Sequence, residues 1–165
     1  MEKQKYTAIV MAAGSGKRMN SKVHKQYLII QDRPVLYYSL KAFEDSAVDE
    51  IVLVVGKGEE KFCRKEIVDK YGISKVKAIV EGGKERYHSV FEGLKQTSDA
   101  DYVLIHDGAR PFVNQDIIRR CMQEVQKYQA CVVGMLVKDT IKIADEEGYA
   151  KQTPDRKNVW MIQTP

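Results

Sequence analysis

The chain contains 165 residues, of which 44% are hydrophobic and 30% are charged, and its formal net charge is +4 at pH 7. This length predicts one domain, and the apolar content is sufficient for a hydrophobic core. The sequence has no basic stripe with interleaved aromatic residues and no apolar stretch long enough to span a membrane. We also expect no secretory signal at the N-terminus. These features argue against a nucleic-acid or membrane partner, and the mild positive charge suits a small polyanionic substrate.

The three cysteines are Cys63, Cys121 and Cys131. Their number is odd, and their spacing is not that of metal ligands. We therefore expect reduced and mostly buried thiols, as is typical of a cytoplasmic protein.

Strand and helix patterns alternate along the first four-fifths of the chain. Apolar, β-branched runs predict strands over residues 6–13, 50–56, 76–80, 102–106 and 130–137. Helical periodicity predicts helices over residues 34–43, 59–71, 84–96 and 115–128, the third with Val90, Phe91 and Leu94 on its apolar face. This alternation predicts an α/β fold, with a Rossmann-like, mostly parallel sheet flanked by helices.

The pattern changes after residue 137. Polar and apolar residues alternate over 140–144, a turn follows at 145–148, and residues 149–153 lead back, which predicts a β-hairpin. We expect this arm, at about residues 138–158 of the single 1–165 domain, to project from the body. Because an isolated hairpin is marginally stable in water, it should pack on a partner subunit. Residues 159–162 then predict a return strand.

A glycine-rich turn follows the first predicted strand, in the sequence Ala-Ala-Gly-Ser-Gly-Lys-Arg-Met over residues 12–19. Gly14 and Gly16 permit a tight turn whose amide groups can hold an anion, and Lys17 and Arg18 add positive charge. The dinucleotide fingerprint and the P-loop both fail to match here. Either this is a phosphate-binding loop, which the nearby Lys25 favours, or it is a tight turn with no ligand.

Two further polar groups follow buried strands, at the edge where open α/β sheets bind ligands. The first is Gly82-Gly83 with Arg86 and Ser89, and the second is His-Asp-Gly-Ala-Arg-Pro over residues 106–111. Asp107 could bind Mg²⁺ and Arg110 a phosphate. Alternatively, Asp107 caps a turn with Arg110 as its ion-pair partner. His106 is interpreted as a packed, hydrogen-bonded side chain.

The first loop, followed by Lys-Gln-Tyr over residues 25–27, resembles the nucleotide-sugar-type pyrophosphorylases. More narrowly, it resembles the 2-C-methyl-D-erythritol 4-phosphate cytidylyltransferase family, whose enzymes act in non-mevalonate isoprenoid synthesis. The Gly-Gly-x-x-Arg-x-x-Ser stretch over 82–89 is similar to the base-recognition loop of that family. Asp139-Thr140 and Asp155-Arg156 match the arm that reaches the other subunit of a homodimer. The resemblance implies that the enzyme transfers a cytidylyl group from CTP to a sugar-alcohol phosphate and releases pyrophosphate.

The resemblance also implies roles for individual residues. Arg18 and Lys25 would stabilise the charge that builds on the α-phosphate, and Asp107 would help to hold Mg²⁺. The groups that bind the nucleotide would be Lys17, the backbone of Ala12, Ala13, Gly14, Ser15 and Gly16, and the residues Gly83, Arg86, Ser89 and Gly108. The methylerythritol phosphate would be bound by Asp107, Arg110 and, from the partner subunit, Thr140 and Arg156.

The chain departs from the family pattern at two places. His24 stands where the family usually has proline, which we expect to loosen the loop that carries Lys25. Family members also continue past residue 165 with a second acidic metal ligand and a further lysine. This second departure motivates an alternative hypothesis, a non-catalytic nucleotide-binding dimer module. A ribitol-5-phosphate cytidylyltransferase is another, although its loops more often read Ala-Gly-Gly and His-Asp-Ala-Val-Arg-Pro. The missing third glycine disfavours a nicotinamide-dependent dehydrogenase.

Overall fold

A computed structural model describes residues 3–14 and 23–165 of the chain. In chain order the larger elements are β1 (Tyr6–Ala12), α1 (Val35–Glu44), β4 (Glu50–Val55), α2 (Glu60–Cys63), β5 (Val76–Glu81), α3 (Arg86–Leu94), β6 (Tyr102–Asp107) and α4 (Gln115–Tyr128). The short elements are a 3₁₀ turn (Lys25–Tyr27), β2 (Ile29–Ile30), β3 (Arg33–Pro34), a π-helix (Arg64–Asp69) that continues α2, β7 (Gly134–Leu136), β8 (Ile143–Ala144), β9 (Ala150–Gln152), a second 3₁₀ turn (Arg156–Asn158) and β10 (Trp160–Ile162).

The central sheet has four strands in the order β5-β4-β1-β6, and all its pairs are parallel. The strands β1 and β4 each have a neighbour on both edges, and both of their faces pack against helices. Their apolar runs are almost completely excluded from solvent, with Ile9 and Leu53 at 0% exposure. The continuous apolar pattern expected of central parallel strands is therefore confirmed, as is the Rossmann-like α/β fold.

Alternate residues of β1 point to two different cores. Ala8 and Val10 belong to the larger core, which α1, the α2 region and α4 cover. Ile9 belongs to a smaller core with Val52 and Val54 on the opposite face. The 2.0-residue period of a strand thus divides one apolar run between two layers of helices.

The helix boundaries follow the predictions closely. Residue Pro34 precedes the first helical residue of α1, and the Asn114 side chain caps α4 by accepting a hydrogen bond from the amide of Ile117 at 3.0 Å. This cap satisfies an otherwise unpaired amide of the first turn.

The apolar face predicted for α3 is wrong at two of its three residues, since Val90 is half-buried but Phe91 and Leu94 are not. Phe91 and Leu94 are 59% and 40% exposed, whereas Ser89 and Gly93 face the sheet. A Cβ at Gly93 would lie 2.6 Å from Ile9 Cγ2, so only glycine permits this close approach of helix and strand. Small side chains let α3 pack closely, and its larger apolar residues lie on the outer side.

The core strand predicted over 130–137 is also wrong in its place and extent. Only β7 forms there, and it pairs antiparallel with β10 instead of joining the central sheet. Met135, Leu136 and Trp160 are 50%, 47% and 53% exposed. An apolar run predicts that a segment forms a strand but does not identify the strand with which it pairs. Here the pairing partner is β10, which is distant in sequence. The expected return strand over 159–162 is present as β10.

The arm, residues 138–158, has the predicted hairpin. Strands β8 and β9 pair antiparallel, and Asp145 Oδ1 accepts hydrogen bonds from the amides of Glu147 and Tyr149 at 3.1 and 2.8 Å. Gly148 completes the turn with a φ of +89°. Residues 142–153 are all exposed, so the arm has no core of its own.

The prediction of free and mostly buried thiols is confirmed. Cys63 and Cys121 are buried, Cys131 is exposed, and all three thiols are free. Within residues 3–14 and 23–165, no helix has the length and apolar character needed to cross a membrane.

Candidate active site

The candidate site lies at the carboxyl ends of the parallel strands. In the sheet register Met11 pairs with Asp107 and Ala12 with Val55, so three strands end at the same level. The amide of Gly108 donates to the Met11 carbonyl at 2.8 Å and extends the pairing by one residue. This edge is where open α/β sheets bind their ligands.

The loop after β5 contacts the residue that follows β1. A Cβ on Gly82 would lie 2.5 Å from Ala13 Cβ and 2.7 Å from Ser89 Oγ. The buried Ser89 hydroxyl accepts a hydrogen bond from the amide of Gly83 at 3.1 Å. The structure therefore brings together three of the predicted nucleotide-binding residues, Ala13, Gly83 and Ser89.

Gly108 is confined in a similar way. A Cβ at this position would meet Leu36 Cδ1 at 2.8 Å and the Met11 carbonyl oxygen at 3.1 Å, so a side chain does not fit. On the other side, the buried Ser39 hydroxyl lies 3.0 Å from the Gly108 carbonyl and 3.2 Å from that of Arg110. The backbone of this loop is thus held from two directions.

Asp107 makes two ion pairs at the centre of the site. Its Oδ1 accepts from Arg86 Nη2 at 2.9 Å and its Oδ2 from Arg110 Nε at 3.0 Å. Burial would raise the pKa of the Asp107 carboxyl, but these two guanidinium groups outweigh it and hold the pKa below its usual value. The ion pair between Asp107 and Arg110, which the sequence offered as an alternative to metal binding, is therefore present. Asp107 also forms a second ion pair, with Arg86.

His106 is fully buried and both of its ring nitrogens are hydrogen-bonded, as expected. Nε2 lies 3.1 Å from the Arg110 carbonyl, which can only accept, so Nε2 carries the proton. Nδ1 then accepts from the Thr164 hydroxyl at 3.1 Å, and the Thr164 oxygen accepts from the Asp107 amide at 3.1 Å. Burial lowers the pKa of His106, which favours this neutral form. These hydrogen bonds connect the Asp107 amide, through Thr164 and His106, to the Arg110 carbonyl, and so fix both ends of the turn over 107–110.

Lys25 lies at the start of the 3₁₀ turn that follows the glycine-rich loop in sequence. Its side chain is exposed and makes no ion pair or hydrogen bond within the described ranges. Next to it, the buried amide of Gln26 donates to the Ala12 carbonyl at 2.5 Å and to the Gly14 carbonyl at 3.2 Å. The lysine is therefore tied to the end of β1 by its neighbour, and its charge remains available.

Four predicted site residues, Ser15, Gly16, Lys17 and Arg18, lie outside the described residues. Thr140 and Arg156 lie in the exposed arm. Arg156 Nη1 donates to the Lys138 carbonyl at 3.2 Å and so closes the base of the arm. In the described part of the chain, neither side chain hydrogen-bonds to Asp107 or Arg110, so one chain alone does not assemble the predicted substrate site.

A cavity of about 450 Å³ runs from Asp107 along the free edge of β6. Arg86, Arg110, Gln163 and Thr164 line its polar end, and Val103, Ile105 and Cys121 are among the residues of its apolar side. It does not include Gly14, Gly83 or Lys25, so it belongs to the Asp107–Arg110 side of the site and not to the glycine-rich loops.

Sequence reasoning missed Gln26, Gln163 and Thr164. Gln26 was part of the quoted Lys-Gln-Tyr motif, and a polar residue beside a phosphate loop is the signal that could have found it. Gln163 hydrogen-bonds Arg110, and Thr164 hydrogen-bonds His106. Both contacts join residues more than fifty positions apart. A local sequence pattern therefore could not have predicted them.

Glycines in the loops after β5 and β6 and an Asp–Arg cluster lie at the carboxyl edge of a Rossmann-like sheet, an arrangement typical of α/β enzymes that bind phosphorylated ligands. The comparisons with known proteins narrow the class. The family model for 2-C-methyl-D-erythritol 4-phosphate cytidylyltransferase matches residues 6–165. The chain belongs to this family.

Curated relatives and solved structures agree. A protein of this name from Lachnoclostridium phytofermentans is 53% identical over 162 residues, which is 98% of this chain and 70% of the relative. A Lachnospira eligens relative is 55% identical, over 96% of this chain and 70% of the relative. The 4-diphosphocytidyl-2C-methyl-D-erythritol synthase structure from Anaerococcus prevotii is 34% identical with a TM-score of 0.85, over 98% of this chain and 68% of that one.

Proposed function

We propose that this protein joins CTP and 2-C-methyl-D-erythritol 4-phosphate to give 4-diphosphocytidyl-2-C-methyl-D-erythritol and pyrophosphate. Family membership over residues 6–165 carries the proposal. A phosphate oxygen of the sugar-alcohol phosphate would attack the α-phosphorus of CTP. The bond from the α-phosphorus to the oxygen bridging to the β-phosphorus would break, and pyrophosphate would leave with that oxygen.

This chemistry asks the protein for alignment and charge neutralisation. A phosphate monoester is already anionic at neutral pH, so no general base is required. The described site agrees with this requirement, because it supplies Lys25, Arg86 and Arg110 around the edge of the sheet. We propose that Lys25, with Arg18, stabilises the charge that builds on the α-phosphate in the transition state.

Cytosine recognition is proposed for the loops after β5 and β6. Gly83, Ser89 and Gly108 present backbone groups and one hydroxyl in fixed positions, because a Cβ on either glycine would collide with its neighbours. Fixed donors and acceptors can read the edge of one base and leave the polar groups of another unpaired. The backbone of Ala12, Ala13 and Gly14 would lie against the triphosphate.

Mg²⁺ is the proposed cofactor. Among the described residues, no group of three or more His, Cys, Asp or Glu side chains could hold a metal ion alone. Magnesium is commonly bound by one or two carboxylates together with substrate phosphates, which fits the single carboxylate of Asp107. Bound there, the ion would neutralise phosphate charge. Arg86 and Arg110, which now occupy both oxygens of Asp107, would become free to bind phosphate groups.

We also propose a homodimer in which the arm of one subunit reaches the site of the other. Thr140 and Arg156 would then bind the phosphate of the second substrate together with Arg110. The support is that the arm is exposed throughout residues 142–153 and has no core that would stabilise it alone. A cytoplasmic location is proposed as well, because three free thiols suit a reducing compartment.

Pyrophosphate release tests the proposed reaction. We would incubate the chain with Mg²⁺, CTP and either 2-C-methyl-D-erythritol 4-phosphate or ribitol 5-phosphate, and repeat the first reaction with UTP and ATP. Release only with CTP and the methylerythritol phosphate is the expected result. Equal use of ribitol 5-phosphate would favour the neighbouring enzyme class, and CTP binding without any release would indicate a non-catalytic nucleotide-binding module.

A further inference from the structure

The turn that carries Lys25 is held by the side chains on both sides of the lysine. We call residues 24–27 the Lys25 turn. Its backbone is closed by a hydrogen bond from the Tyr27 amide to the His24 carbonyl at 2.9 Å. Gln26 ties the turn to the end of β1, as described above. The other two flanking residues, His24 and Tyr27, both bind one carboxylate from the loop after β4, that of Glu59.

Glu59 accepts three contacts with its two oxygens. Oε2 receives the Tyr27 hydroxyl at 2.7 Å and the amide of Gly56 at 3.1 Å, and Oε1 lies 2.9 Å from His24 Nδ1. The carboxylate occupies the space where a side chain on Gly56 would be, since a Cβ there would lie 2.6 Å from Oε2. Glu59 thus bridges the Lys25 turn and the end of the central strand β4.

The groups around Glu59 are in the states that this bridge requires. Burial raises the pKa of Tyr27 above its usual range, and the contacts to Cys63 and Glu59 raise it further. The phenol therefore stays protonated and can donate a hydrogen bond to Glu59. Burial also raises the pKa of the Cys63 thiol to about 11. Tyr27 and Cys63 are therefore neutral, and the Tyr27 hydroxyl is the donor in its hydrogen bond to Glu59.

His24 is the residue at which the family resemblance implies a proline. The imidazole of His24 lies beside Glu59 and stacks near the Tyr27 ring, with centroids 6.1 Å apart. These contacts oppose the loosening of the loop that was expected of His24. A proline has neither a side-chain donor nor an amide hydrogen to offer. In this chain a side-chain contact to Glu59 replaces the backbone restriction that proline would impose.

We propose that Glu59 is a positioning residue that holds Lys25 beside the carboxyl end of β1, through His24 and Tyr27. The inference rests on the proposed function, in which Lys25 acts on the α-phosphate. Because all three contacts of Glu59 are to other groups, the carboxylate fixes the turn without pairing with the ammonium group. A displacement of a catalytic group by about 1 Å can cost as much as 100-fold in rate, so the turn need only loosen for activity to fall.

Glu59→Ala tests the role directly. We expect kcat to fall about 10- to 100-fold, while KM for CTP changes less than about threefold, because misplacing a group that acts in the transition state affects turnover more than binding. Glu59→Gln should lose less, since its amide oxygen still accepts from Tyr27 and Gly56. Glu60→Gln removes the neighbouring carboxylate, which makes no hydrogen bond to the Lys25 turn in the described residues, and should leave kcat unchanged.

A double-mutant cycle separates positioning from general destabilisation. If Glu59 acts through Lys25, then the variant carrying both Lys25→Ala and Glu59→Ala should be no slower than Lys25→Ala alone. Additive losses would overturn the proposal, because they would mean that Glu59 contributes by another route. An unchanged kcat in Glu59→Ala would overturn it as well.

Amide hydrogen exchange provides a readout that needs no substrate. We expect the amides of Tyr27 and Leu28, which close the turn, to exchange faster in Glu59→Ala, while amides of the central strand β4 keep their protection. Unchanged exchange at the turn would overturn the positioning role. If instead the unmodified chain makes no product, the proposed function fails, and this result is distinct because the exchange experiment is independent of activity.

Discussion

The arm, residues 138–158, and the body, which is the rest of the described chain, both contain β-branched apolar residues in strands. The body buries these residues, whereas the arm exposes them. In the body, the β4 residues Val52 and Leu53 point to opposite faces and are both at 0% exposure, because helices cover both faces of the sheet. In the arm, Ile143 of β8 is 46% exposed, and among the strands of the described residues its strand pairs with β9 alone. The body is therefore stabilised by its own buried core, whereas residues 142–153 of the arm contribute no buried side chain.

This difference divides the candidate site. Gly83, Asp107 and Arg110 are fixed by hydrogen bonds and close contacts within the body. Thr140 and Arg156 are presented by a segment that lacks a core. We therefore expect the functions of the body, CTP binding and charge stabilisation, to tolerate changes in the arm. The predictions below test this separation, beginning with the largest effect.

Removing a cation of the body should have the largest effect on turnover. Lys25→Ala and Arg18→Ala should each lower kcat about 100- to 1,000-fold and change CTP affinity little, because they act on charge that develops in the transition state. Steady-state kinetics and calorimetric CTP titration measure the two quantities. Lys127→Ala, on the surface of α4, is the matched control. Unchanged turnover in both site variants would remove their assigned role.

The stability of the body should be far more sensitive than that of the arm. Leu53→Ala empties a fully buried position and should cost about 2–5 kcal/mol in the free energy of unfolding. Ile143→Ala should cost less than about 0.5 kcal/mol in dilute protein, because its side chain is half exposed. Urea denaturation followed by circular dichroism compares the two variants.

Protein concentration sharpens that test. If a second copy covers the arm, the cost of Ile143→Ala should grow as the concentration of protein rises, because association then contributes to stability. The cost of Leu53→Ala should not change in this way. A large cost of Ile143→Ala in dilute protein would show that the arm is stabilised within one chain, and the comparison of the two regions would be wrong.

The sequence predicted the body well because its signals are local. The continuous apolar run of β4 and the cap of α4 each depend on residues that are close in sequence. The predicted apolar face of α3 was wrong at two of its three residues, because the pattern does not show that Gly93 lets the helix approach Ile9. The placement of residues 130–137 was wrong, because their partner strand β10 lies more than twenty residues away.

The site shows the same distinction. The glycine-rich motifs and Asp107 were found because their residues are adjacent in sequence and follow strands. The supports of these residues come from elsewhere in the chain: Thr164 holds His106, and Glu59 holds the Lys25 turn. Such contacts depend on the folded topology. Sequence reasoning can therefore propose which groups react, while the groups that position them require the structure.

Arg156→Ala tests the arm's part in the reaction. If Arg156 binds the second substrate, its loss should raise KM for the methylerythritol phosphate about tenfold, which corresponds to about 1.4 kcal/mol, and leave CTP affinity unchanged. Lys157→Ala changes the next residue of the same exposed turn and should have little effect. An equal loss of CTP binding in Arg156→Ala would contradict the separation between body and arm.

The last prediction concerns a charge of the body. Glu44, at the end of α1, accepts the Ser74 hydroxyl at 2.5 Å and the amides of Ser74 and Lys75 at 3.0 and 2.9 Å. Burial would raise the pKa of Glu44, but these hydrogen bonds outweigh it and hold the pKa below its ordinary value of 4.5. The ionised form is therefore favoured by folding, and Glu44→Gln should cost about 1 kcal/mol at pH 7 after allowance for solvent screening.

The pH dependence of this difference has a definite sign. A carboxyl whose pKa is lower in the folded state stabilises the protein above its unfolded-state pKa and loses that contribution as the pH falls through the folded-state value. The gap in unfolding free energy between the unmodified chain and Glu44→Gln should thus be full at pH 7 and narrow below about pH 4.5. Asp155→Asn, in the arm, removes a carboxylate that accepts one amide, from Lys157, and should cost less at pH 7. A Glu44→Gln gap that widens toward acid would contradict the assigned role, because it would mean that folding favours the protonated form of Glu44.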